Sequence, residues 1–187
     1  MADITNDPKH DEAPRKLLGR ALLAVATTSL LLSACGSPGP ETATSGAAGR
    51  GASYTTWDGE KATTAGFEGK PLVVNFWASW CTSCLHEIPA FVKVYERHAP
   101  NVAFLGLNLQ DDRDVAANLA RELGITYELG RDPQGTAFQA FGAVAMPTTV
   151  LLDADGDIVR RFDGEVSADQ LETELEQLLE GPVDVTA

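Results

Sequence analysis

The stretch that decides the fold is Val73–Cys84, VVNFWASWCTSC. With Leu72 it opens as a continuous apolar run to Trp77, the pattern of a buried central strand. It closes on two cysteines, Cys81 and Cys84, separated by Thr82 and Ser83. Behind them, Leu85, Ile88, Phe91, Val92 and Tyr95 recur at helical spacing, and Pro89 inside this run predicts a kinked helix. A strand followed by a helix puts Cys81 at a helix N-terminus. There, unpaired backbone N–H groups and the positive end of the helix dipole favour a thiolate. The pKa of Cys81 is then expected below the value of about 8.5 for a free cysteine. Cys84, one turn further in and more buried, is the expected resolving thiol. Cys81 attacks a partner disulfide, and Cys84 displaces the product from the mixed disulfide.

A Cys-x-x-Cys pair can also clip a metal, anchor a haem or staple a loop. Covalent haem attachment needs a histidine straight after the second cysteine, and Leu85 stands there before His86. Structural zinc takes four ligands, and the surroundings of His86 and His98 offer no second clip. A disulfide across two residues closes too small a loop to stabilise much. A peroxidatic cysteine is expected with Thr or Ser three residues upstream, where this chain has Ala78, so antioxidant activity is not expected. The residues favour a redox pair that needs no metal or prosthetic group.

Elsewhere the chain alternates strands and helices. Tyr54–Trp57 reads as a short strand and Val102–Asn108 as a second buried one. Val115, Leu119 and Leu123 mark a helix face that Gly124 stops. Thr136–Phe141 is a short helix. Thr148–Asp153 and Ile158–Phe162 form a hairpin about the turn DADGD. Ser167, with Gln170 three residues on, opens a last helix through a capping box, and Leu171, Leu175 and Leu178 form its buried stripe. Parallel crossovers followed by a hairpin imply an α/β sandwich with a mixed sheet.

The 187 residues are 44% hydrophobic and carry a net charge of −13, enough for one core and unsuited to nucleic acid or a basic membrane patch. Arg15, Lys16 and Arg20 precede an apolar stretch, Ala21–Leu32, too short to span a bilayer as a helix. It runs into LSACG, Leu32–Gly36, which resembles the bacterial lipobox. That resemblance implies cleavage before Cys35 and lipidation of its thiol. The three cysteines, an odd count, are then a lipid anchor and a redox pair. The expected organisation is a signal peptide over residues 1–34, a lipidated cysteine and flexible Gly/Ser/Ala/Pro tether over 35–52, and a folded domain over 53–187.

VVNFWASWCTSC, the following Glu87-Ile88-Pro89 and the later AMPTTVLLDADGDIV (Ala145–Val159) resemble the thioredoxin superfamily. More closely, they resemble its TlpA/ResA/CcmG-type extracytoplasmic thiol-disulfide oxidoreductases. The likeness spans roughly Tyr54–Leu179. It implies a three-layer α/β/α sandwich around a central mixed sheet. By resemblance Cys81 is the nucleophile, Cys84 the resolver, and Pro147 a cis-proline facing the disulfide. The same likeness makes Trp80, Thr82, Ser83 and Met146 the surface that meets a partner. Asn75 stands where thioredoxin has a buried acid. Glu87 matches an acid of the ResA-like branch, one turn from Cys84, and is the expected proton carrier. Most members have proline before the second cysteine, where this chain has Ser83. Serine returns a backbone donor beside the Cys81 sulfur, stabilises thiolate and makes the disulfide more oxidising.

The resemblance implies a reductase of extracytoplasmic disulfides, such as those of apocytochrome c during cytochrome c maturation. Protein thiols and disulfides would be its substrates and a CcdA-type membrane protein its electron donor. Its place would be the outer face of the bacterial cell membrane, held there by lipid. The alternative is the reverse chemistry, an oxidase that introduces disulfides into secreted proteins.

Overall fold

A computed structural model describes residues 51–180. The expected signal peptide, Cys35 and nearly all of the tether lie outside those residues, as does the chain beyond Glu180. The described chain runs β1 (Ser53–Thr56), β2 (Lys61–Thr63), β3 (Leu72–Trp77), α1 (Thr82–His98), β4 (Ala103–Leu109) and α2 (Arg113–Glu122). It continues with β5 (Glu128–Asp132), α3 (Thr136–Ala140), β6 (Thr148–Leu152), β7 (Ile158–Asp163) and α4 (Ala168–Glu180). The strands form a 7-stranded sheet in the order β2-β1-β5-β4-β3-β6-β7.

β3 lies inside the sheet, parallel to β4 and antiparallel to β6. Every residue of β3 is buried, which is why its sequence is apolar on both faces. Val74 and Phe76 join Leu105, Leu107, Val150 and Leu152 on one face, under Ala137 and Phe141. Phe76 meets Phe138 and Phe141 edge-on at 5.3 and 5.8 Å between ring centroids. On the other face Val73 packs under Phe91 and Val94 of α1 and Leu171 and Leu175 of α4. Trp77 packs with Cys84 and Ile88 of α1 and Ala116 and Ala120 of α2. Helices thus cover both faces of the mixed sheet, giving the thioredoxin-like three-layer sandwich. Each fully buried ring is worth about 3–5 kcal/mol against truncation to alanine.

Two strands depart from the sequence reading. β2 is only three residues long, and β5, ELGRD, has no apolar run. β5 is nevertheless inside the sheet, parallel to β4 and antiparallel to β1. Its Gly130 is there for packing: a Cβ would lie 2.6 Å from Tyr54 Cδ2 and 2.9 Å from Leu107 Cδ2. Of the face expected for α2, Leu119 and Leu123 pack partly buried on the Trp77 and Cys84 cluster, but Val115 does not. Val115 is 52% exposed, and Ala116 and Ala120 face inward, small enough to seat the helix close to α1. α1 runs unbroken from Thr82 to His98 with Pro89 inside it. Pro89 is exposed, and its missing N–H costs the helix one internal hydrogen bond. At α4 the Ser167 hydroxyl accepts from the Gln170 N–H at 3.2 Å, the forward half of the expected capping box.

Candidate active site

β3 delivers the chain through Ala78, Ser79 and Trp80 to Cys81, which caps α1 with extended backbone angles, φ −97 and ψ 96. Its Sγ accepts the Cys84 N–H at 3.2 Å, and the Ser83 Oγ stands 3.7 Å away. Cys81 and Cys84 are joined as a disulfide. Cys81 keeps 6% of its surface exposed and Cys84 none, so an incoming sulfur can reach only Cys81. The N–H and hydroxyl that face Cys81 would face a thiolate in the reduced protein. Trp80 stands out at 56% exposure beside the pair, and Thr82 is exposed. Trp77 is fully buried in the core, as its sequence position led us to expect.

The turn before Cys81 is clamped from β4's side of the sheet. Asp111 accepts from the Ser79 N–H at 2.7 Å and from the Ser79 hydroxyl at 2.8 Å. The Asn108 amide donates to the same carboxylate at 2.8 Å, and Arg131 reaches the Asp111 carbonyl at 3.3 Å. Sequence reading did not single out Asp111 or Ser79. Their partnership joins residues 32 apart, and no local motif marks it.

The Met146–Pro147 bond is cis. Pro147 is buried, and Met146, half-buried, packs on the cluster that holds Cys81 and Cys84. Asp163 at the end of β7 steadies this loop, accepting from the Thr148 hydroxyl at 3.1 Å and the Val144 N–H at 3.4 Å. Partial desolvation raises the Asp163 pKa. The bonds from Val144 and Thr148 and the Arg161 charge outweigh it and hold the carboxyl below its ordinary range.

Glu87 is 2% exposed, under the sheet side of α1 rather than on its solvent face. Asn75 Nδ2 donates to its Oε1 at 2.8 Å, and the Val166 N–H donates to its Oε2 at 2.9 Å. Asn75 Nδ2 also reaches the Thr149 hydroxyl at 3.3 Å. Burial pushes the Glu87 pKa up to about 7. The two hydrogen bonds oppose the rise and the Glu165 charge adds to it. On a helix, residues three apart are neighbours, so this carboxyl lies one turn from Cys84. Among the described residues no group of three or more His, Cys, Asp or Glu is placed to hold a metal. No helix there is long and apolar enough to cross a membrane.

The redoxin family profile matches residues 36–179. This chain belongs to the redoxin family. Within the redoxins it is a thiol-disulfide oxidoreductase of the TlpA/ResA/CcmG type. It is 29% identical over 126 residues to the thiol-disulfide oxidoreductase ResA of Bacillus thuringiensis subsp. konkukian, covering 66% of this chain and 72% of ResA. It is 32% identical over 118 residues to the thiol:disulfide interchange protein HelX of Rhodobacter capsulatus, covering 63% of this chain and 65% of HelX. Among solved structures, MTB dsbF in mixed oxidized and reduced forms superposes with TM-score 0.65 at 27% identity, covering 70% of this chain and 97% of dsbF. A DsbF homologue from Corynebacterium diphtheriae superposes with TM-score 0.62 at 26% identity, covering 68% of this chain and 83% of its own.

Proposed function

We propose that this redoxin is a membrane-tethered reductase of extracytoplasmic protein disulfides, such as those of apocytochrome c. A CcdA-type membrane protein would supply its electrons, and Cys35 would carry the lipid anchor. The observation that carries the reading is the buried Glu87, one turn after Cys84 and held by Asn75 and the Val166 N–H, with burial pushing its pKa up to about 7. Cys81 thiolate attacks a substrate disulfide, forming a mixed disulfide and releasing one substrate sulfur as thiolate. Cys84 must then lose its proton, and the Glu87 carboxylate takes it. The Cys84 sulfur attacks Cys81, closes the disulfide and frees the second substrate sulfur. The dithiol gives two electrons and the substrate disulfide gains them. Trp80, Thr82, Ser83 and Met146 flank the sulfur and would meet the substrate chain. Met146, before cis Pro147, would offer its backbone to that chain.

The second reading is an oxidase. The observation in its favour is Ser83: its Oγ stands 3.7 Å from Cys81 Sγ, where it would stabilise the reduced form. Three measurements test the proposal. Insulin disulfide reduction should be lost in Cys81→Ser. Alkylation trapping in cells should find the pair reduced; an oxidised pair at steady state would favour the oxidase. Release of the protein from membranes on Cys35→Ala tests the anchor, and retention of that variant would contradict it.

A further inference from the structure

The loop over residues 142–147, which brings Met146 to the disulfide, is held from outside the core by the end of β7. Arg161 Nη1 donates to the Phe141 carbonyl at 3.3 Å, and a Cβ at Gly142 would lie 2.8 Å from that nitrogen. Gly142, at φ 65, both turns the chain and admits the guanidinium. Arg161 Nε donates to Asp163 Oδ2 at 3.1 Å. Asp163 Oδ1 takes the Val144 N–H at 3.4 Å and the Thr148 hydroxyl at 3.1 Å, and that hydroxyl also reaches the Ala145 carbonyl at 2.6 Å. The Gly164 N–H, next along the chain, donates to the Pro147 carbonyl at 2.8 Å. The start, middle and end of the loop thus hang on Arg161, Asp163 and Gly164.

The bracket is polar and lies at the surface, and the loop it holds turns apolar side chains outward. Val144 is 78% exposed, and Ala145 is exposed beside it. Among the described residues no hydrogen bond engages the Met146 N–H or carbonyl. A free backbone donor and acceptor next to cis Pro147 can pair with an extended chain, and they do so best when fixed before it arrives. Through Val144 and Ala145 that fixing is done by the Asp163 and Thr148 side chains. We infer that Asp163 is a positioning residue for protein substrates: its carboxylate sets the backbone of residues 144–146, so that a partner chain docks with its disulfide at Cys81. This rests on the reading that Met146 offers its backbone to the substrate. A disulfide without a peptide backbone has nothing to lay on the loop and reaches Cys81 without help from Asp163. Without the bracket the loop must be ordered during docking, and ordering one backbone residue lowers the docked population about tenfold.

The reduced full-length protein is mixed with a cysteine-peptide disulfide and, separately, with hydroxyethyl disulfide, and the ratio of the two second-order rates is read. Asp163→Ala should lower this ratio about tenfold, while the reduction potential of the pair stays at the wild-type value. Asp163→Asn keeps an oxygen for Val144 and Thr148 and should recover most of the loss. Thr148→Val removes the hydroxyl that joins Asp163 to Ala145 and should lower the ratio too. A merely structural residue would slow both disulfides alike or neither. A ratio unchanged in folded Asp163→Ala would overturn the proposal; if that variant does not fold, an unchanged ratio in Thr148→Val would do so. A potential shifted in step with the rates would also overturn it, because Asp163 would then act on the sulfurs and not on docking. The wild type should react more slowly with the same peptide N-methylated on either side of its cysteine. If it does not, the Met146 backbone drops out of the reading, and a lowered ratio still assigns the loop's positioning to Asp163.

Discussion

Asn75 on β3 and Glu87 on α1 form a buried hydrogen-bonded pair, Nδ2 to Oε1 at 2.8 Å. Neither residue has the expected role alone. An amide cannot exchange a proton at neutral pH, and a buried acid without donors would stay protonated. Together they hold an ionisable carboxyl, with pKa about 7, beneath the resolving cysteine.

Glu87→Gln should slow resolution of the mixed disulfide by about 10²-fold, the lower end for loss of a general base. In the wild type, the resolution rate should rise with pH through an inflection near the Glu87 pKa of about 7. The variant should lose that inflection. Stopped-flow resolution of a trapped mixed disulfide checks both, and equal rates for the two proteins would remove Glu87 from the mechanism.

The same group has a stability signature. Its folded pKa, about 7, lies above the ordinary glutamate value of 4.5, so the folded state binds more protons between these limits. Stability from this group is therefore fully present below about 4.5 and is lost as pH rises through about 7. The loss amounts to about 3 kcal/mol, the pKa difference at 1.36 kcal/mol per unit. Urea denaturation should show Glu87→Gln gaining on the wild type as pH rises through this window. A gap that is constant with pH would contradict the assignment.

Ser83→Pro removes a backbone N–H and the hydroxyl 3.7 Å from Cys81 Sγ. The Cys84 N–H on Cys81 Sγ is kept, but the reduced form loses the stabilising hydroxyl, so the reduction potential should fall. A drop of about 30 mV corresponds to a tenfold change in equilibrium constant. Equilibration with a dithiothreitol couple measures it. An unchanged or raised potential would discount Ser83 as a lever.

Asp111→Ala strips two acceptor contacts from Ser79 and one from Asn108. The turn before Cys81 should loosen, costing about 2–3 kcal/mol, while Asp111→Asn should cost less. Chemical denaturation of the oxidised protein reads the loss. A midpoint equal to the wild type's would mean that the clamp contributes nothing.

The sheet, the order of the long elements and the Cys81–Cys84 site were legible because each is written locally. Leu72–Trp77 reads as a buried strand without reference to its neighbours, and Cys81 declares a helix start. β5 was not legible. Its partners supply the apolar surface, and its own Gly130 exists to admit Tyr54. The face of α2 was legible at Leu119 and Leu123 but not at Val115, which is exposed: Ala116 and Ala120 seat the helix beside them, and a count of large apolar side chains overlooks alanines. The support of the site was the least legible part. Asp111 with Ser79, Glu87 with Val166, and Asp163 with Val144 are contacts between distant residues, created only when strands and helices assemble. Glu87 was picked out by its position in a motif; its depth and its Asn75 partner needed the fold.

The central claim is that the Cys81–Cys84 pair gives electrons. The measurement that tests it most directly is the reduction potential of the pair in the full-length protein. The account predicts a value near that of thioredoxin, about −270 mV, low enough to reduce extracytoplasmic disulfides. A value near about −120 mV, that of a strong periplasmic oxidant, would contradict the reductase and leave the oxidase in its place.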